Sequence, residues 1–155
     1  MRRSTVLLFA VVIVLVAPLA WAADPLVGNW RLKSQEVAGN QINSNPLTLA
    51  ITPAGKLLNF AYIVTVKDAP VVNLKFSTAL DGTEVEVSGG DGKKMGTAKV
   101  SRDGAAYKVL IEGPGRPAVT ISMTVSLDGN TLVSESDAQT GSGGNVHTKQ
   151  VFSRQ

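Results

Sequence analysis

No cysteine occurs anywhere in the 155 residues. That absence excludes disulfides, a lipid-modified cysteine, a thiolate nucleophile and every cysteine-based metal site. Histidine is nearly absent too: His147 stands alone, so a multi-histidine metal cage cannot form within one chain. A serine hydrolase triad would have to use that residue, yet His147 alternates with Lys149, Val151 and Ser153 on what reads as the outer face of the last strand. Clustered Asp and Asn at calcium-loop spacing are missing, and the stretch 88–94, Ser-Gly-Gly-Asp-Gly-Lys-Lys, lacks the Gly-Lys-Ser/Thr and following helix of a phosphate loop. No metal, no cofactor and no catalytic residue are therefore expected. Charge of one sign is scarce as well. Arg2 and Arg3 supply two of the 15 basic residues, and without them 13 basic residues face 12 acidic ones. So small a balance gives no reason to expect a nucleic-acid partner.

The one long apolar run lies at the start. Arg2 and Arg3 precede an uninterrupted apolar stretch over residues 6–16, Pro18 follows, and Ala20 and Ala22 fit an A-x-A cleavage site. The expectation is a signal peptide over residues 1–22, a mature chain from Ala23, and export to the periplasm or the medium with no stable membrane insertion after cleavage. Removing 22 residues from 155 leaves 133, enough for one domain over 23–155 that must be held by its core alone.

Beyond Gly28 no apolar spacing of three to four residues is sustained, and period two dominates. In residues 119–125 every odd position is apolar and every even one is Ser or Thr, the mark of a strand with one buried and one wet face. Asp-Gly pairs at 81–82, 91–92, 103–104 and 128–129 tolerate the positive φ of tight hairpins. They divide the chain into runs at 28–37, 47–52, 57–67, 71–80, 83–88, 95–102, 105–112, 117–126, 130–137 and 146–154. Consecutive strands with short turns form a meander, and closure removes its edges. The fold class expected is all-β, an antiparallel up-and-down β-barrel of about 8–10 strands.

The ends of the mature chain carry a resemblance. Residues 26–32, Leu-Val-Gly-Asn-Trp-Arg-Leu, resemble the Gly-x-Trp first strand of lipocalins and their calycin relatives, and residues 148–154 are similar to the last strand of those barrels. The resemblance implies a closed barrel in which Gly28, Trp30 and Arg154 are structural, with the arginine lying over the tryptophan ring. It extends to short exported lipocalin-like proteins of bacteria. Fatty-acid-binding relatives hold a carboxylate with an Arg-x-Tyr pair on the final strand, whereas the aligned positions here are Gln150 and Phe152. They also carry a two-helix lid, for which only the polar segment 38–46 is available.

Two acidic pairs, Glu84 with Glu86 and Glu135 with Asp137, each share a strand face and read as solvated, with Val85 and Val87 taking the inward positions of the first. Alternation sends Trp30, Leu49, Phe60, Val100, Val109 and many other apolar residues inward, whether to fill the barrel or to line a pocket. The candidate ligand-binding residues are Tyr62, Phe76, Tyr107, Met123, Gln150 and Phe152, the tyrosines offering polar anchors in an apolar interior. Residues 57–66 are apolar on both faces. Two functions stay open: a non-catalytic exported protein binding a small apolar ligand, or a structural or interaction domain of the cell envelope with a filled barrel.

Overall fold

A computed structural model describes residues 24–139 and 143–155. The expected signal peptide, residues 1–22, and its cleavage point lie outside them. Eleven strands follow one another: β1 (Gly28–Val37), β2 (Asn40–Ile42), β3 (Leu47–Ala54), β4 (Leu57–Val66), β5 (Ala69–Thr78) and β6 (Asp81–Ser88) come first. Then come β7 (Lys94–Asp103), β8 (Ala106–Gly113), β9 (Arg116–Val125), β10 (Thr131–Gln139) and β11 (Asn145–Arg154). No helix occurs among the described residues.

From β3 onward each strand pairs antiparallel with the next, β1 pairs with β3, and β11 returns to β1 to close the ring. Strand β2 pairs only with the far end of β1, through Gln35 to Val37 against Ile42 to Asn40. The closed ring therefore has ten strands, the antiparallel up-and-down barrel that the period-two pattern dictates. Segment 38–46 holds the β2 hairpin where a two-helix lid would stand.

Three Asp-Gly pairs turn the chain as their chemistry requires, with Gly92, Gly104 and Gly129 at positive φ. The fourth does not. The β5–β6 turn is made one step earlier, by Ala79 and Leu80, with Leu80 itself at φ 62°. Asp81 then opens β6, accepting from the Thr83 amide, and Gly82 sits in a bulge where the β6–β7 register shifts. Strand β5 also begins two residues earlier than its apolar run, taking in Pro70. Proline is tolerated there because β5 and β6 share only one register pair, Lys75 with Ser88, so no ladder bond is forfeited on that edge.

The core occupies one end of the barrel. Trp30, Leu49, Ile51, Val100, Val109 and Leu132 are completely buried, with Phe60, Tyr107, Met123 and Phe152 beside them. Residues 24–27 cross beneath this end and seal it: Leu26 is buried, and its carbonyl accepts from Trp30 Nε1 at 2.8 Å. Truncating an aromatic side chain from such packing typically costs about 3–5 kcal/mol.

Candidate functional site

At the opposite end the interior is not filled. Register puts Leu32, Tyr62, Leu74, Ile111, Ile121 and Gln150 on the same inward face as the buried core residues, yet all six are only half-buried. An inward-facing side chain in a packed barrel meets only other side chains, so partial exposure there means that the barrel is open from mid-height to its mouth. A cavity of about 290 Å³ lies in this half, lined on its inner side by Leu74, Val87, Ile111 and Val119 and at the rim by Met95, Pro114 and Pro117. That volume is at the lower end for small-molecule sites, which begin near ~300 Å³.

The six candidate ligand-binding residues separate into groups. Tyr62, on β4, points inward across from Leu49 and Leu74, outside the lining of this cavity; its hydroxyl is sealed from solvent and has no hydrogen-bond partner. Burial pushes that phenol well above its usual pKa, because no water reaches the oxygen to solvate a phenolate. Gln150 points inward from β11, opposite Ser134 on β10 and Gln35 on β1. Met123 and Phe152 are buried and form the floor between the two halves.

Tyr107 belongs to the closed end instead of the ligand space. Its hydroxyl donates to Asp24 Oδ1, and Asp24 Oδ2 meets Arg102 Nη1 at 3.0 Å. Burial first, and the Asp24 carboxylate second, push this phenol up as well. A tyrosine committed in this way is a closure device, so the anchoring role read from the sequence passes to Tyr62 alone. Phe76 stacks on Phe60, with ring centroids 4.9 Å apart, and borders a separate groove of about 530 Å³ along the thin β5–β6 seam.

Gly28, Trp30 and Arg154 meet at the seal. The Arg154 guanidinium lies 4.2 Å above the Trp30 ring and donates to the carbonyls of Val27, Pro25 (2.7 Å) and Gly129 (2.6 Å). A Cβ on Gly28 would stand 2.5 Å from Arg154 Nη1, a nitrogen held in place by these bonds, so only glycine leaves the guanidinium its room.

The acidic pairs each face cationic or imidazole partners on the neighbouring strand. Glu84 and Glu86 pair with Lys99 and Lys94, Glu135 with Lys149, and Asp137 with His147 at 2.9 Å, all between exposed neighbours on adjacent strands. Sequence reasoning missed the inward polar row Ser134 and Ser136 on β10. The signal was present: Glu135 and Asp137 mark the wet face, so the serines between them must point inward. It also missed Asp24 and Leu26, which precede the first strand and carry no periodicity.

No family model matches the chain, and no curated protein matches it by sequence. Solved structures do match in shape. Apo Caenorhabditis elegans lipid binding protein 8 superposes with a TM-score of 0.61 at 11% identity, covering 86% of this chain and 98% of that one. A mutant of the fluorescent protein UnaG gives 0.58 at 14% identity, covering 84% and 96%. Zebrafish ileal bile acid-binding protein in complex with cholic acid gives 0.54 at 22% identity, covering 84% and 99%. At these identities the likeness establishes a common architecture, a closed antiparallel up-and-down barrel, and nothing finer.

Proposed function

We propose that this protein is a non-catalytic, exported carrier of a small, mainly apolar molecule held in the open half of its barrel. The observation that carries the reading is the half-buried inward row, with an unpartnered Tyr62 hydroxyl among apolar neighbours. A buried polar atom without a partner is costly, and a bound molecule that supplies the partner recovers that cost. Two proteins of similar fold are a lipid binding protein and a bile acid-binding protein, the latter in complex with cholic acid, which supports the reading. Export rests on the basic, apolar and small-residue succession of residues 1–22. The non-catalytic part rests on the residue inventory: the carboxylate pairs are matched by surface cations, and the single histidine is exposed. Native mass spectrometry of protein purified from its own host, followed by titration with the neutral dye Nile red, tests it. A co-purifying small molecule, or saturable one-to-one dye binding, is expected. An empty mass spectrum together with unsaturable dye fluorescence would contradict the proposal.

A further inference from the structure

The open half has two unlike walls. Strands β3 to β9 present apolar side chains inward, Leu74, Ile111, Val119 and Ile121 among them. Strands β10, β11 and β1 turn Ser134, Ser136, Thr148, Gln150 and Gln35 inward, with the apolar Leu32 and Val37 among them. None of these carries a charge. The arginines that share the inward parity, Arg102 and Arg154, lie at the closed end, held by Asp24 and by backbone carbonyls. At the mouth, Glu112 and Arg116 border the cavity, but both are exposed and opposite in sign, so water screens them.

From these two observations, the polar wall and the orphaned Tyr62 hydroxyl, we infer that the ligand is an uncharged amphiphile. Its hydroxyl or carbonyl group meets the β10–β11 wall and reaches Tyr62 once the side chains that cover the phenol yield to the ligand; the inference rests on the carrier function proposed above. A neutral oxygen supplies the missing partner of Tyr62 and exchanges its water for uncharged amide and hydroxyl groups. A carboxylate entering the same space would lose its hydration with no buried cation to replace it. An anionic amphiphile is left with the screened rim, where a single exposed arginine adds little.

Matched ligands of equal chain length test this. Displacement of Nile red by hexadecanol and by palmitate is measured on the wild-type chain and on Tyr62→Phe and Arg116→Ala. The expected result is that hexadecanol binds at least about tenfold tighter than palmitate. Tyr62→Phe should weaken hexadecanol by about fivefold, with palmitate little changed, and Arg116→Ala should leave hexadecanol unaffected. Palmitate binding as tightly as hexadecanol, or a hexadecanol affinity indifferent to Tyr62→Phe, overturns the inference while leaving the carrier function standing. Nile red that does not saturate on the wild-type chain removes both.

Discussion

Arg154 concentrates several interactions in one side chain: three backbone carbonyls accept from it and the Trp30 ring lies beneath it. Hydrogen bonds from a charged donor contribute about 1.5–3 kcal/mol each, and the ring contact about 0.5–2, with strong overlap between them. Arg154→Met is therefore expected to lower unfolding free energy by about 3 kcal/mol, read from urea denaturation followed by Trp30 fluorescence. A loss under 0.5 kcal/mol would mean that the seal does not depend on the guanidinium. Tyr62 makes a prediction of opposite sign. Removing an unsatisfied buried hydroxyl lifts a desolvation penalty, so Tyr62→Phe should stabilise the ligand-free protein by about 1 kcal/mol even as it weakens a neutral ligand. A destabilised variant would show that the hydroxyl already has a partner. Tyr62 and Tyr107 are the only tyrosines, and both phenols are raised in the fold above the ordinary value near 10. The unfolded chain then releases protons at a pH where the folded chain keeps them. The stability that these groups contribute is complete below about pH 10 and declines as pH rises beyond it. Absorbance at 295 nm should stay flat through pH 10 while the fold persists; two phenols ionising there in intact protein would contradict the burial.

Among the strands, the ladder is thinnest between β5 and β6, which share a single register pair. Backbone amides on these facing edges have no cross-strand carbonyl to hold them, so hydrogen exchange should be fastest there among the strands and slowest along β10 and β11. Equal protection along β5 and β11 would refute the open seam. The same region shows where sequence reading stops. Strand existence was legible because alternation depends only on which face is wet, and all ten runs begin and end within two residues of the observed strands. The fate of Asp81-Gly82 was not legible. Its dipeptide permits either a hairpin or a bulge, and the choice is made by pairing with β7, far along the chain. Strand β2 escaped for a similar reason: three exposed residues, Asn40 to Ile42, carry no buried face to announce them.

For the whole molecule, closure of the barrel was readable from its ends only through the resemblance that Gly28, Trp30 and Arg154 carry, which implied an arginine lying over the first-strand tryptophan. Occupancy of the interior was not. Alternation states which side chains point inward and says nothing of how much space they enclose, which is set by strand number and by where the large residues collect. Here Trp30, Phe60, Tyr107 and Phe152 gather at the end sealed by residues 24–27, leaving branched aliphatics and small polar groups to face the mouth. One half is therefore a packed core and the other is open toward the mouth. The most direct measurement is a methyl NMR titration of residues 23–155 with hexadecanol. The account predicts saturable shifts at Leu74, Val87, Ile111, Val119 and Ile121, with Leu49, Val109 and Leu132 of the sealed half unmoved. Shifts confined to outward methyls such as Leu57 and Ile63, or none anywhere, would contradict it.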